Sequence, residues 1–261
     1  MKKILTYILM IGLCSFTLGQ TASFFSDTET SVDNTFVAGV WDIPTPETNY
    51  ALKFDTDGEK FHTNDQQEMF ALDEYAPGKS DWTIEAWTYL DGTHPTWLAD
   101  WVDNGYHTLY FGGALKNENA RKLAFRPYGG TEYWSTAVFP TEQWFHLAVT
   151  YKATSNELKI WYNGILDATH TISEDLSTTK RSIWISDGDN YNLTGRVDEV
   201  RVSSVERYTS NFTPQTDPFI TDADTELLLH CNQGTGTVVN DSSGNNRHGT
   251  ITTGTEWVLR T

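Results

Sequence analysis

Between Glu142 and Gly164 apolar and polar positions alternate with a period of two. Phe145, Leu147, Val149 and Tyr151 fall on one face, and His146, Ala148 and Thr150 on the other. That is the pattern of a half-buried β-strand. The polar run 152–156 has hairpin-loop length, and Leu158, Ile160 and Tyr162 then resume the alternation against Glu157, Lys159 and Trp161. Asn163-Gly164 follows, a pair that tolerates the positive φ of a type I′ turn, and Ile165-Leu166 restarts a strand. Three antiparallel strands in so short a stretch fix a sheet.

The same pattern recurs along the chain. Strands are predicted at 51–54, 82–90, 96–102, 106–111, 123–128, 133–138, 182–185 and 195–202, with turns at Asp57-Gly58, Asp103-Asn104-Gly105 and Gly129-Gly130. No long amphipathic helix interrupts them. Many short strands separated by turn signals predict an all-β, two-sheet antiparallel sandwich of the jelly-roll kind.

The ends of the chain differ from this middle. Lys2-Lys3 and the apolar run 4–18 have the form of a secretory leader, too short for a comfortable membrane span. Leu13 before Cys14 argues against a lipoprotein. Pro44 and Pro46 mark residues 44–49 as a linker. At the other end, Leu227, Leu228, Leu229, Ile251, Trp257 and Val258 would expose apolar surface unless packed on the sheets.

Composition narrows the function. The formal charge is −17, and loss of Lys2 and Lys3 with the leader takes it to −19. Such acidity argues against nucleic acid and anionic membrane as partners, and supplies carboxylates suited to Ca²⁺. Cys231 is left alone once Cys14 goes with the leader, so no intrachain disulfide is expected. Aromatics make up 13% of residues, with 10 Trp, 12 Tyr and 13 Phe, more than a core of this size needs.

Three stretches carry a family resemblance. "QWFHLAVTY" with "NELKIWYNGIL", "DWTIEAWTYL" (81–90) and "LTGRVDEVRVS" (193–203) occur in an order that resembles laminin-G-like domains of the concanavalin A-like lectin and glucanase superfamily. The resemblance implies a concanavalin A-like jelly roll over residues 50–261. The segment 222–261 resembles the opening of such a domain, displaced to the C-terminus. It reads as permuted closing strands or as a truncated repeat, and the first reading places the Trp257 region beside Tyr50–Phe54. Residues 21–43, with "FSDTET" and "NTFVAG", resemble exported proteins of the camelysin type with SipW-type signal peptides. That implies a signal peptide over 1–22, a leader motif and linker over 23–49, and an extracellular or cell-surface location. An ordinary signal peptide with a disordered linker is the plain alternative.

Candidate site residues follow from residue type. Trp97 and Trp101 share one strand face, Tyr106 stands across the Asp103–Gly105 turn, and Trp134 neighbours Tyr133, so that one of that pair must leave the core. Flat rings suit the apolar faces of sugars, with Asp and Asn nearby for hydroxyls. Core filling is the competing role for each ring, and Trp87 and Trp144 are assigned to it. Asp187, Asp189 and Asn190 crowd oxygen ligands around Gly188 and suit structural Ca²⁺, or else form a solvated acidic loop. The position is that of calcium ligands in pentraxins, which are similar members of the superfamily. Asp55 and Asp57 read as turn residues.

Catalytic patterns are missing. Glycoside cleavage needs two carboxylates flanking one bond. The alternating E-x-D-x-x-E strand of the superfamily's glucanases has no counterpart here: Glu85 stands alone, and alternation puts Asp198 and Glu199 on opposite faces. Asp198 then shares a face with Val200 and Val202, where it must be satisfied by local donors or a metal. The expectation is a secreted, non-catalytic, lectin-like module for glycan or another cell-surface polymer. An adhesive, self-associating matrix component is the alternative, and a glycoside hydrolase the weaker one.

Overall fold

A computed structural model describes residues 48–261 apart from 56–57, 64–79, 93–97, 104–106, 114–117, 128–129, 175, 177–182, 187–191, 217 and 253. Two antiparallel sheets face each other. In sheet A the central strand is β3 (Trp82–Leu90), flanked by β8 (Trp144–Lys152) and β12 (Gly195–Ser203). Beyond β8 lie β9 (Glu157–Tyr162) and the edge strand β10 (Ile165–Thr171); beyond β12 lie β1 (Tyr50–Phe54) and β16 (Glu256–Leu259). The far half of β12 pairs with β13 (Thr225–Leu229) instead. Sheet B runs in the order β14 (Val238–Val239), β15 (Gly249–Ile251), β2 (Phe61–Thr63), β11 (Trp184–Ile185), β4 (Leu98–Asp103), β5 (His107–Gly112), β6 (Leu123–Pro127) and β7 (Tyr133–Trp134).

The hairpin read from the sequence forms as expected. β8 and β9 pair from Leu147–Tyr162 to Lys152–Glu157. Asn163 and Gly164 carry φ of 47° and 77°, the left-handed values that a type I′ turn demands. Gly164 has a second constraint, because a Cβ there would collide with the Phe212 carbonyl. The expected strand at 133–138 is shortened to its first two residues: the backbone N–H groups of Thr136 and Ala137 donate to Asp167.

Strands from the C-terminal segment complete both sheets. β16 pairs with β1, with Trp257 opposite Leu52, while β14 and β15 extend sheet B next to β2. The inward positions form one core that includes Leu52, Phe54, Ile84, Leu147, Val149, Ile160, Phe111, Phe125, Val200 and Leu227. Each such side chain contributes roughly 1.5–3 kcal/mol on full burial.

The outer face of sheet A is half covered. The chain from Ser204 to Asp224 crosses it as a strap. Thr83 Oγ1 donates to the Val205 carbonyl, Phe212 N to Gly164 O, and Trp87 Nε1 to Gln215 O. Beneath the strap, Glu85 accepts from Arg201 Nε at 2.9 Å, from Arg201 Nη2 at 2.7 Å and from the Tyr208 hydroxyl at 2.7 Å, and His146 Nε2 lies 3.1 Å from it. Burial alone would raise this carboxyl. The His146 hydrogen bond and the Arg201 charge outweigh it and hold Glu85 below its ordinary value.

A candidate receptor face on sheet A

Where the strap ends, the outer face continues as a field of half-buried rings. Inward alternation on β3 gives Ile84, Ala86 and Thr88 to the sandwich, so Trp87 and Tyr89 turn outward. On β8 the same rule turns Trp144 outward, opposite Tyr89 in register. Trp87 and Trp144 therefore do not fill the core. The signal was present in the strand phase: Trp144 has the parity of His146, not of Phe145.

Two arginines join the rings. Arg196 of β12 stacks its guanidinium on Tyr89, 4.3 Å from the ring centroid. Arg260 follows β16 and reaches over β1, placing its guanidinium 4.9 Å from the centroids of both Trp87 and Trp144. Tyr89 meets Trp144 edge-on at 5.6 Å and donates its hydroxyl to Glu142 Oε2 at 2.9 Å. Cation–π contacts of this kind stabilise by about 0.5–2 kcal/mol each and hold the planes in fixed orientation. Nothing in local sequence marks Arg260 as a partner of Trp87. Only the pairing of β16 with β1 brings it there.

A bulge in β12 sets the electrostatics. Asp198 is opposite Trp87 and Arg201 opposite Glu85, so Glu199 and Val200 share the single partner Ala86. Glu199 absorbs the extra residue at φ 52°. The bulge overturns the strict alternation expected there. Val200 and Val202 face the core, while Asp198 and Glu199 both lie on the outer side. Both are buried and occupied. Asp198 accepts from Arg260 Nη1 at 2.7 Å and from the Glu199 backbone N–H at 2.9 Å. Glu199 accepts from Phe219 N at 2.8 Å and lies 2.9 Å from His230 Nδ1. Burial pushes the Asp198 carboxyl up to about 7, against the pull of Arg260 and with the help of Glu199.

Of the rings expected from the sequence, the two described ones, Trp101 and Trp134, lie on opposite faces of sheet B. Trp101 is fully buried, packs in the core against Phe111 and donates Nε1 to Thr88 Oγ1 at 3.0 Å, which removes it from any ligand surface. Ala99 pairs with the inward Phe111, so Trp101, two residues on, shares the inward face by alternation alone. Trp134 sits on the outer face of sheet B, edge-on to Tyr110 at 5.6 Å, while its neighbour Tyr133 packs on the core. Trp97, Tyr106 and the calcium candidates Asp187, Asp189 and Asn190 lie outside the described residues. Among the described residues no cluster of three or more His, Cys, Asp or Glu is arranged to hold a metal.

Comparisons with known proteins agree with this architecture. The family model described as the concanavalin A-like lectin/glucanases superfamily matches residues 62–211. Among solved structures, the chain is similar to a protein from Bacteroides ovatus ATCC 8483 named for carbohydrate binding, with 20% identity and a TM-score of 0.62 over 82% of this chain and 60% of that one. It is also similar to the native heptameric SAP-like pentraxin from Limulus polyphemus, with 7% identity and a TM-score of 0.51 over 82% of this chain and 97% of that one. At these identities the likeness is one of fold, and the chain spans about 60% of the length of the first structure. No curated protein matches it in sequence.

Proposed function

The chain belongs to the concanavalin A-like lectin/glucanases superfamily, and on that premise we propose that it is an exported, non-catalytic module that binds glycan on the open half of sheet A. One observation carries the reading: Trp87, Tyr89 and Trp144 stand half-buried on adjacent rigid strands, interleaved with the guanidiniums of Arg196 and Arg260. Rings held this way offer sugars an apolar platform whose ordering is already complete before binding. A site on strands is also more exactly placed than one on loops. The fold neighbour named for carbohydrate binding supports the same class of ligand.

The non-catalytic part rests on the state of the carboxylates. Hydrolysis of a glycoside requires two carboxyl groups free to flank a bond. Asp198 and Glu199 are instead buried and engaged by Arg260 and by His230 and Phe219 N. Export rests on the leader residues and belongs to the same proposal. So does structural Ca²⁺ at Asp187, Asp189 and Asn190, which is supported by the spacing of oxygen ligands around Gly188. A Ca²⁺ titration that leaves the melting temperature unchanged removes the metal from the account.

The test is a panel of immobilised polysaccharides probed with wild type, Trp144→Ala, Trp87→Ala and, as a control on the other sheet, Trp134→Ala. Loss of binding by about five- to 150-fold in the first two variants, with the control unchanged, is expected, since a stacked ring contributes on the order of 1–3 kcal/mol. Binding that depends on Trp134 and ignores Trp144 contradicts the assignment.

A further inference from the structure

An open sheet edge pairs with other chains unless something guards it. The two sheets end in β10, β13 and β16 on one side of the sandwich and in β7 and β14 on the other. Among the described residues all but one of these are guarded. β7 and β14 are only two residues long. β10 is broken by a register shift at Asp167, whose carboxylate takes the N–H groups of Thr136 and Ala137, and Leu166 N donates to Asn211 Oδ1. The free side of β13 is filled by the turn that follows it: Leu228 N donates to Asp241 Oδ1, and Leu228 O accepts from Ser242 N.

β16 has no such guard. It holds neither Pro, Lys nor a bulge. Arg260 N donates to Asn49 O at 3.0 Å, which sets the phase of the β1–β16 ladder. Val258 and Glu256 then bond to Ala51 and Lys53, and the backbone N–H and C=O groups of Trp257 and Leu259 point away from β1. Those groups have no partner among the described residues. Leu259 has the inward parity of Trp257, which packs on the core, yet Leu259 is 52% exposed. An apolar side chain beside free backbone groups marks an edge that a further strand would cover.

We propose that β16 is an interface between two copies of this chain, paired antiparallel about a two-fold axis at Val258. The ladder phase selects that register. Two such strands exchange hydrogen bonds only where their outward-pointing residues lie opposite each other. Centring on Val258 sets Trp257 against the partner's Leu259, and Leu259 against the partner's Trp257, so every open group is used and each leucine gains an aromatic neighbour. Centring on Trp257 instead sets Leu259 against Thr255, whose N–H is already given to Thr252 O. Centring on Leu259 sets Trp257 against Thr261, outside the strand. Charge agrees with the first register. Glu256 stands opposite the partner's Arg260, and no like charges face each other. Arg260 keeps its bond to Asp198 throughout. The occupant is a second copy rather than a foreign strand because residues 256–260 match their own reverse, which is what a closed two-fold contact requires.

Pairing of this kind fuses the two copies of sheet A into one, with both ring fields on the same side. Three strand spacings in each copy and one across the interface separate the two β3 strands by about 34 Å. One polymer can then engage two faces held at fixed separation, which raises its avidity. That consequence rests on the reading of the face as the glycan surface; the dimer does not.

The experiment is sedimentation equilibrium of the full chain without glycan, at concentrations up to on the order of 100 μM, because so small an interface binds weakly. Wild type is expected to approach twice the chain mass. Leu259→Lys puts a charge on the edge and should return the protein to single-chain mass with its melting temperature unchanged. Deleting β16 is no substitute, since that bares the edge of β1 in its place. A cross-link reads the register. In a Cys14→Ser background, Val258→Cys should form a disulfide-linked dimer under mild oxidation, because directly opposed Cα atoms of a non-hydrogen-bonded pair lie about 4.5 Å apart. Glu256→Cys, opposite Arg260 rather than itself, should not, and Cys231 is buried and cannot compete. Single-chain mass for wild type, association that survives Leu259→Lys, or cross-linking through position 256 and not 258 each overturns the proposal. Any of these leaves the glycan reading standing, and a dimer that binds no glycan removes that reading alone.

Discussion

Arg260 Nη1 lies 2.7 Å from Asp198 Oδ2, tying the residue after the last strand to the bulge of β12. The same guanidinium covers Trp87 and Trp144. Closure of the sandwich by its C-terminal strand and assembly of the ring field are therefore one event: without β16 against β1, the arginine has no route to the face.

The Asp198 carboxyl gives the fold a defined pH response. Its folded value of about 7 stands above the ordinary 3.8 because burial outweighs Arg260. The folded state thus holds this proton more tightly than the unfolded one. The stability it contributes is present below pH 4 and is lost as pH rises through about 7. Asp198→Asn removes the titration. Its stability relative to wild type should rise between pH 4 and 7, by up to about 4 kcal/mol. Urea unfolding at several pH values measures this, and a pH-independent difference contradicts it.

The Glu85–Arg201 pair under the strap is buried. Glu85→Ala leaves Arg201 buried without its carboxylate and should cost about 3–5 kcal/mol. The double variant Glu85→Leu, Arg201→Met should recover part of that loss, since it removes the unpaired charge but leaves the Tyr208 hydroxyl and His146 Nε2 without their acceptor. Chemical denaturation of the two variants checks both statements. A double variant no better than the single one would show that the strap, not the charge, sets the energy.

Tryptophans of the two environments should separate cleanly. Trp101→Ala opens the core and should destabilise by about 3–5 kcal/mol. Trp144→Ala removes a half-buried ring outside the core and should cost no more than about 2 kcal/mol. Thermal and denaturant unfolding report both, and equal costs would place Trp144 in the core after all.

Removal of residues 256–261 strips β16 from β1 and takes Arg260 from the ring field. The exposed edge of β1 is then free to pair with other chains. A lower melting temperature and concentration-dependent association are expected. A truncated chain that melts like wild type and stays monomeric would mean that β16 contributes nothing to closure.

Much of the fold was legible because the strands keep phase. Phe145 to Tyr151 and the Asn163-Gly164 turn specify their hairpin locally, and the apolar C-terminal positions require a sheet to lie on. The site was less legible for two reasons. Strict alternation assumes a period of two, and the bulge at Asp198-Glu199 breaks it, bringing the two carboxylates to one side; at Trp101 the phase holds, but the local pattern does not say which face of β4 is the core one. The other reason is distance in sequence: Arg260 and Trp87 meet only through strand pairing across the whole domain. Where phase alone was sufficient, as for Trp87 and Trp144, assigning large rings to the core by size overrode a signal that was already present.

Indole N–H resonances offer the most direct test of the central claim, that the open half of sheet A is the receptor surface. With ¹⁵N-labelled protein and a bound glycan oligosaccharide, the account predicts that the Trp87 and Trp144 indole signals move while those of Trp101 and Trp161 stay fixed. Movement confined to Trp134 and Trp184, on the other sheet, would contradict it.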